Sequence, residues 1–332
     1  MRVFLTGGSG LLGSHIAALL CEEGHDVVAL CRPGSPSTFL ESLGCVVARG
    51  DVRDPPDVLE RAMRGCTHVV HGAALVYAGG SWPRVRAVNV EGTSNVLTAA
   101  ARAGARHAVH VSSVAVYGSV DGPVDETAST DSPIPCTDLY ARSKREAEAE
   151  ARRVEREDGL KVSVLRPSAV YGERDRLMAP RIARMVRRPV AFLLGGGDNT
   201  IPTVYAGNVA VATSLVLAAG RGGATFDVGM DRPLTQRTLV RELASGMGRS
   251  PKLVSIPAGL VRAGVAALDR MGVSAPGTQG LPLGRVVRLA LGENPYPSRR
   301  IRDELGWSPP HEHEDALRRT GRWIRDYGSS LE

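Results

Sequence analysis

The pairing in this sequence that most directly indicates chemistry is a tyrosine followed four residues later by a lysine. Tyr140 and Lys144 belong to a segment with helical periodicity, so their side chains share one helical face. At about 4 Å and an effective dielectric near 20, a positive charge favours a phenolate by roughly 4 kcal/mol. Such a phenol can exchange a proton with a carbon–oxygen centre near neutral pH. The alternative interpretation is an exposed helix pair without a function.

The scarcity of lysine makes this pair more informative. The chain has 41 basic residues and a formal net charge of +6, yet only Lys144, Lys161 and Lys252 are lysines. A group of arginines in residues 181–188 has helical spacing and suits either a solvated helix face or an anionic substrate arm. No interleaved aromatic residues favour nucleic-acid binding, so a small-molecule substrate is expected.

A serine is the third candidate for the reaction. Ser113 follows Val111 and Ser112 at the carboxyl end of the fifth predicted strand, where open α/β sheets bind their ligands. A hydroxyl there can hold a substrate oxygen. The alternative role is a simple cap of the strand end.

A glycine-rich turn at the start of the chain predicts a cofactor site. Gly7, Gly10 and Gly13 have the spacing G-x-x-G-x-x-G, directly after the first predicted strand and at the start of a helix that includes Leu11 and Leu12. Glycines let the backbone approach a pyrophosphate, and the free N–H groups of the helix start attract the anion. An ordinary β–α turn is the alternative.

Residues after the next three predicted strands suggest how the cofactor is selected. NAD-selective sites usually place an acid after the second strand, but this chain has Arg32, which suits the 2′-phosphate of NADP(H). Asp51 and Val52 follow the third strand and can contact the adenine, and the small Ala73 and Ala74 follow the fourth. We therefore expect NADP(H) to be preferred, with NAD(H) possible. A surface arginine, a turn aspartate and an ordinary loop are the respective alternatives.

Short β-branched runs alternate with longer helical segments through the first half of the chain. This alternation predicts an α/β fold, a doubly wound parallel Rossmann sheet with a smaller C-terminal α+β substrate lobe. The last of the first six strands is expected to end before Pro167. The predicted strands are Arg2–Thr6, Asp26–Leu30, Cys45–Ala48, Thr67–His71, His107–Ser112, Lys161–Arg166 and Ala224–Val228, with a helix at Asn208–Ala219 before the last.

The change of pattern after the sixth strand predicts two domains. We assign residues 1–166, with about 202–228, to the NAD(P)-binding domain. Residues from about 167–201 and 229–332 form the substrate lobe, in which proline-rich stretches such as 276–282 interrupt the helices.

Composition bounds the remaining possibilities. A chain of 332 residues with 43% hydrophobic residues excludes disordered and fibrous classes. The first apolar run, Val3–Leu5, leaves no room for a signal peptide, and the later run Val209–Ala219 is too short to span a bilayer. Five cysteines without C-x-x-C spacing suit a reducing cytoplasm and are assigned no chemistry. We expect a cytoplasmic protein without a membrane partner and without a metal site.

Taken together, the motifs resemble the extended short-chain dehydrogenase/reductases of the NAD-dependent epimerase/dehydratase family. Besides the glycine turn and Tyr140…Lys144, they are N-V-E-G-T at 89–93, V-S-S…V-Y-G at 111–118, L-R-P-S-A-V-Y-G at 165–172 and D-E-L-G-W-S-P at 303–309. The pattern is most similar to the dihydroflavonol-reductase and 3β-hydroxysteroid-dehydrogenase-like branch. The resemblance implies about seven parallel strands, a C-terminal substrate lobe and a homodimer.

The resemblance also implies roles for single residues. Ser113, five residues before Gly118, would contact the reacting oxygen, Tyr140 would be the acid/base, and Lys144 would bind the nicotinamide ribose. Asn89 would organise the site. The residues implied to line the nicotinamide side are Pro167, Ser168 and Val170.

At several motif positions this sequence differs from related subfamilies, and these differences help to choose between possible functions. Sugar-nucleotide dehydratases carry an Asp-Glu pair where this chain has Val114 and Ala115. Nucleotide-sugar epimerases commonly carry asparagine at the position of Ser168 and an arginine near the position of Ile201. We therefore predict a ketoreductase or secondary-alcohol dehydrogenase for an apolar substrate. The alternatives are a nucleotide-sugar epimerase or 4-ketoreductase and, in another class, a non-catalytic cofactor-binding regulator.

Overall fold

A computed structural model describes residues 1–76, 81–118, 120, 122–177, 179–270, 287 and 290–328. Its strands, in chain order, are β1 Arg2–Thr6, β2 Asp26–Cys31, β3 Val46–Arg49, β4 His68–His71, β5 His107–Val111, β6 Lys161–Pro167, β7 Ala169–Tyr171, β8 Val190–Leu194, β9 Thr203–Tyr205, β10 Thr225–Val228 and β11 Lys252–Ile256.

Seven of these strands form one parallel sheet. Their spatial order is β3, β2, β1, β4, β5, β6, β10. The central strands are apolar without alternation, because helices cover both faces, and Val3, Phe4 and Leu5 are fully buried. The order reverses between β1 and β4, which is the point where doubly wound sheets open a crevice. The predicted fold class is confirmed.

Helices connect the strands and cover the sheet. They are α1 Leu11–Glu22, α2 Thr38–Ser42, α3 Pro56–Ala62, α4 Trp82–Arg86, α5 Gly92–Arg102, α6 Leu139–Asp158, α7 Ala179–Val186, α8 Ala206–Ala219, α9 Gln236–Gly246, α10 Ala258–Arg270, α11 Arg299–Leu305 and α12 His313–Tyr327. Two irregular segments matter for the site, a π-helical segment at Ala87–Glu91 and a 3₁₀ turn at Val114–Tyr117.

Each face of the sheet has its own core. On one face, α1 and α8 pack through residues such as Ile16 and Val216 against the strands. On the other face, α3, α5 and α6 contribute residues such as Leu59, Leu97 and Val154. A third core joins α7, α9 and α12 with the two-stranded β8–β11 sheet.

The sequence-based bounds agree with the structure to within one or two residues. One difference concerns Pro167, which was expected to lie beyond β6 but is its last residue and is paired with Val228 of β10. Proline has no N–H, so the neighbouring N–H of Ser168 donates to the Val228 carbonyl at 3.1 Å. The proline-rich stretch 276–282 lies outside the described residues. In the described ranges no helix is both long and apolar enough to cross a membrane.

Candidate active site

The predicted cofactor and catalytic residues lie along one edge of the large sheet. All seven strands are parallel, so their carboxyl ends meet at this edge. From β3 to β6, the residues at this edge are Asp51 and Val52 after β3, Arg32 after β2, the turn 7–13 after β1, Ala73 and Ala74 after β4, Ser113 after β5, and Pro167 and Ser168 at the end of β6. The fold therefore brings distant motifs into one continuous row.

The glycine turn fits a dinucleotide pyrophosphate. Gly7 has φ +77°, and a Cβ atom there would lie 2.7 Å from the Gly72 carbonyl carbon. A Cβ on Gly13 would lie 2.1 Å from the Gly7 oxygen, so α1 can approach β1 closely only with glycine at this position. Gly10 donates its N–H to the Gly7 oxygen at 2.9 Å and precedes α1, which starts at Leu11. The N–H groups of this first turn, including Leu12, have no intrahelical acceptor and can bind an anion.

Behind the turn, a buried hydrogen-bond chain has a defined direction. The Ala73 N–H donates to Thr6 Oγ1 at 3.2 Å, and Thr6 Oγ1 lies 2.8 Å from His71 Nδ1. On the other side, His71 Nε2 lies 2.9 Å from Thr93 Oγ1, which donates to the Asn89 carbonyl at 2.7 Å. Since the single Thr93 proton is used, His71 donates from Nε2 and accepts at Nδ1. Burial lowers the pKa of His71 to about 3, which keeps this ring neutral.

The Asn89 side chain connects this chain to the catalytic helix. Its Nδ2 donates to the Leu75 carbonyl at 3.1 Å and to Ser143 Oγ at 2.8 Å, while its Oδ1 accepts from the Leu75 N–H at 2.7 Å. Ser143 Oγ in turn donates to the Tyr140 carbonyl at 2.8 Å. The π-helical segment around Asn89 thus ties the loop after β4 to the first turn of α6. This geometry suits the predicted organising role.

Two of the three predicted catalytic residues, Ser113 and Lys144, lie at the end of β5. Lys144 is buried, and its Nζ donates to the Val111 carbonyl at 2.7 Å. Burial lowers the pKa of Lys144 to about 8. Ser113 caps the 3₁₀ turn Val114–Tyr117 and accepts from the Ala115 N–H at 3.2 Å, and its hydroxyl proton can still be donated to another oxygen. Tyr140 is half-buried, one turn before Lys144 on α6.

At the end of the site predicted to bind the adenosine of the cofactor, an ion pair between Arg53 and Asp51 was not foreseen from the sequence. Arg32 is exposed directly after β2, and Asp51 accepts two side-chain hydrogen bonds from Arg53, at 3.0 and 2.9 Å. Those hydrogen bonds, with a smaller contribution from Arg32, lower the pKa of Asp51. Val52 is buried against Gly92, where a Cβ would lie 2.8 Å from its side chain. Val52 therefore packs the loop after β3 against the start of α5, whether or not a cofactor is bound.

The ends of β5 and β6 carry buried polar groups. The hydroxyls of Ser112 and Ser168, at the ends of adjacent strands, are buried and have no hydrogen-bond partner among the described residues. A molecule bound at this edge can satisfy such groups. Val170 lies further along in β7, pairs with Val204 of β9 and packs against the first core.

A second buried network was missed by sequence reasoning. Tyr117 donates to Asp227 Oδ2 at 2.6 Å and accepts from Arg166 at 2.8 Å, while Arg166 forms a two-pronged ion pair with Glu148 at 2.9 and 2.6 Å. Burial raises the pKa of Asp227 to about 7. The tyrosine of V-Y-G and the arginine of L-R-P were visible in the sequence, but nothing in it pairs them with residues on other elements.

Comparison with known proteins decides the family. The family model of the NAD dependent epimerase/dehydratase family matches residues 3–229. The chain belongs to this family. It is 32% identical over 254 residues to the 2-alkyl-3-oxoalkanoate reductase of Stenotrophomonas maltophilia (strain K279a), covering 75% of this chain and 76% of that protein.

Two further matches extend over nearly the whole chain. The 3 beta-hydroxysteroid dehydrogenase/Delta 5-->4-isomerase of Mycobacterium tuberculosis (strain CDC 1551 / Oshkosh) is 30% identical over 337 residues, covering 95% of this chain and 88% of that protein. The crystal structure of the DesIV double mutant, a dTDP-glucose 4,6-dehydratase from Streptomyces venezuelae with NAD and DAU bound, has a TM-score of 0.74. Its identity is 27% with all of both chains covered.

These matches confirm the resemblance stated from the motifs. This chain is a nicotinamide-dependent oxidoreductase of the extended short-chain dehydrogenase/reductase type. In the part of the chain that the structure describes, no group of three or more His, Cys, Asp or Glu side chains could hold a metal ion. The roles of individual site residues stay predictions.

Proposed function

We propose that this protein is an NADPH-preferring ketoreductase or secondary-alcohol dehydrogenase that acts on an apolar substrate through Ser113, Tyr140 and Lys144. The observation that carries this proposal is the buried Lys144 ammonium, held 2.7 Å from the Val111 carbonyl beside the strand end that bears Ser113. A nicotinamide cofactor supplies or accepts the hydride when bound.

Each of the three side chains has a distinct task. Lys144 uses one of its three protons on the Val111 carbonyl and keeps two for a ribose hydroxyl and the phenol. Its charge favours the Tyr140 phenolate, and the phenol transfers the proton to or from the substrate oxygen. Ser113 donates its hydroxyl proton to the same oxygen and stabilises the charge that develops there.

Replacing Tyr140 tests this assignment. Tyr140→Phe retains the ring but removes the transferable proton, so we expect kcat to fall about 100- to 10,000-fold while NADPH affinity changes little. The matched control is Tyr327→Phe, because Tyr327 is 59% exposed at the end of α12. Stopped-flow hydride transfer and cofactor fluorescence titration measure the two quantities. A kcat within a few-fold of the wild-type value would exclude Tyr140 as the acid/base.

The preference for NADPH rests on cations at the adenosine end. Arg32 is exposed there without an accompanying acid at the end of β2, and Asp51 is engaged by Arg53. Arg49, at the end of the adjacent β3, adds another guanidinium and donates to Ser37 Oγ at 2.6 Å. Two cations suit a 2′-phosphate better than a bare ribose.

Removing Arg32 tests the cofactor proposal. Arg32→Ala should weaken NADPH binding at least about tenfold and leave NADH binding nearly unchanged, because only NADPH carries the 2′-phosphate. Arg64→Ala removes an exposed arginine elsewhere and serves as the control. Calorimetry with both cofactors measures the effect, and a wild-type protein that binds NADH at least as tightly as NADPH would contradict the proposal.

The apolar substrate class rests on residues that replace polar groups of related subfamilies. Val114 and Ala115 are buried in the 3₁₀ turn, and Ile201 packs against the third core. The names of two relatives, a 2-alkyl-3-oxoalkanoate reductase and a 3 beta-hydroxysteroid dehydrogenase, describe carbonyl or alcohol substrates with large apolar parts. Both observations favour a ketone or secondary alcohol that carries alkyl or ring carbons.

A substrate panel separates this proposal from its alternatives. With NADPH present, apolar ketones should be reduced, whereas UDP- and dTDP-sugars should bind poorly outside the cofactor site. Micromolar affinity for such a sugar would favour the epimerase or 4-ketoreductase alternative, which the likeness to a dTDP-glucose 4,6-dehydratase keeps open. Cofactor binding without turnover on any substrate would favour the regulator. The cytoplasmic location and the homodimer likewise remain proposals.

A further inference from the structure

We propose that Cys21 and Cys45 form a redox-active thiol pair that hydroperoxides convert to a disulfide. The two Sγ atoms are 3.6 Å apart, although 24 positions separate the residues in the chain. Cys21 is the penultimate residue of α1, and Cys45 directly precedes β3. A disulfide needs an S–S distance of about 2.05 Å, so the sulfurs must approach by roughly 1.5 Å.

The chain around the pair permits this approach. Gly24 follows α1 with φ +77°, and Gly44 precedes Cys45 with φ +80°. A Cβ atom at either glycine would meet nothing within 4 Å, so both turns border open space. Small rotations at these two turns can therefore bring the sulfurs together.

The two thiols differ in accessibility, which assigns their order of reaction. Cys21 is half-buried at the edge of the first core, whereas Cys45 is only 7% exposed. Burial raises the pKa of the Cys45 thiol to about 12, so this thiol does not ionise at neutral pH. Cys21 is therefore the thiol that meets the oxidant, and Cys45 is the one that resolves the product.

The reaction balances with a hydroperoxide as the oxidant. The Cys21 thiolate attacks one peroxide oxygen, the O–O bond breaks, and the leaving oxygen takes a proton to give water or an alcohol. The Cys45 thiol then attacks the sulfenic sulfur while its proton passes to the departing hydroxide, so the S–S bond forms and water is released. With hydrogen peroxide, two thiols lose two electrons in total and one peroxide becomes two water molecules.

The disulfide would close a loop that contains all of β2 and the exposed Arg32. Such a crosslink restricts the unfolded chain, so the oxidised protein should melt higher by roughly 2–6 °C. Cys31 is the main competitor, because it is buried in the same core as Cys45. The inference does not depend on the proposed reaction or substrate.

Peptide mapping of the full chain tests the pair directly. Reduced protein is treated with hydrogen peroxide, free thiols are alkylated under denaturing conditions, and the chain is cleaved after glutamate. Cleavage at Glu22 or Glu23, Glu41 and Glu60 places Cys21, Cys31 and Cys45 on three different peptides. Trypsin would leave all three in residues 3–49, because Arg32 precedes a proline. We expect a dithiothreitol-sensitive link between the first and third peptides.

Two serine variants complete the test. Cys136→Ser removes an exposed thiol and should leave both the link and the rise in Tm unchanged. Cys21→Ser should abolish both. A link between Cys31 and Cys45, oxidation confined to Cys136, or an oxidised protein whose Tm equals that of the reduced form would overturn the proposal. Mapping of the wild-type chain alone decides the outcome if Cys21→Ser does not fold.

Discussion

Lys144 shows how a single residue can be both unusual for its chain and specific in its environment. In a sequence whose basic residues are nearly all arginines, it is a lysine that is only 3% exposed. A compact ammonium can sit between the Val111 carbonyl and a neighbouring phenol, whereas a planar guanidinium directs its donors over a wider fork. Burial lowers the pKa of Lys144 to about 8, so its charge is held at a cost in stability.

Exchanging this lysine for arginine separates charge from geometry. In Lys144→Arg we expect kcat to fall at least about 100-fold, with the tyrosine limb of the pH–rate profile displaced to higher pH, because a planar guanidinium cannot take the position of the ammonium that is proposed to favour the phenolate. Lys161→Arg is the matched control, since Lys161 is exposed at the start of β6. Circular dichroism confirms folding in both variants. Near-wild-type kcat with an unshifted profile would remove Lys144 from the mechanism.

At the scale of elements, the turn between β1 and α1 depends on close backbone packing. The chain reverses within a few residues, and α1 approaches the turn so closely that a Cβ atom on Gly13 would overlap the Gly7 oxygen. Local glycine spacing therefore encodes the angle at which the helix start faces the sheet edge. The same argument explains why the turn could be recognised before the fold was known.

Adding one methyl group here should displace the helix start. Gly13→Ala places a Cβ 2.1 Å from the Gly7 oxygen, so α1 must shift. We expect NADPH affinity to fall at least tenfold and Tm to fall by several degrees. Gly264→Ala is the control, because a Cβ at this α10 position meets nothing within 4 Å; this variant should leave NADPH affinity unchanged and should not lower Tm. Unaltered cofactor affinity in Gly13→Ala would show that the turn does not position the pyrophosphate.

The helices and strands of the large sheet were predictable because their periodicity is local. β1 has the predicted bounds Arg2–Thr6, and the helix predicted at Asn208–Ala219 begins only two residues earlier. Periodicity does not predict that Asn89 connects two separate elements. Its hydrogen-bond acceptors lie on the loop after β4 and on α6. The π-helical segment that aims its side chain has no separate sequence signal.

For the whole molecule, Asp227 links the edge strand β10 to the turn after β5. It is fully buried, accepts from Tyr117 and leaves Oδ1 without a partner among the described residues. Burial raises the pKa of Asp227 from 3.8 to about 7. Ionisation of this group therefore lowers the free energy of unfolding by about 4 kcal/mol between about pH 4 and alkaline pH. Because the folded state holds the proton more tightly than the unfolded chain, stability from this group is complete below about pH 4. It is lost as pH rises through about 7.

An amide at this position should remove that pH dependence. Asp227→Asn keeps an acceptor for Tyr117 but cannot ionise, so its Tm should exceed that of the wild type by several degrees at pH 8, by less at pH 5, and match it only near pH 4. Asp303→Asn, at an exposed carboxylate on α11, is the control and should follow the wild type. Calorimetric melting between pH 4 and 8 provides the comparison. Parallel curves for Asp227→Asn and wild type would show that Asp227 does not titrate in this range.

The amino-acid sequence by itself determined the alternating elements, the glycine turn and the Tyr140…Lys144 spacing, because each depends on residues within about one or two turns of one another. Together with the other motifs, these features also indicated the family. Only the tertiary structure decided which distant residues meet. Lys144 reaches Val111 across 33 positions, and Tyr117 reaches Asp227 across 110. The reason is physical, since strand order and helix packing set such contacts, and no local pattern encodes the order in which parallel strands assemble.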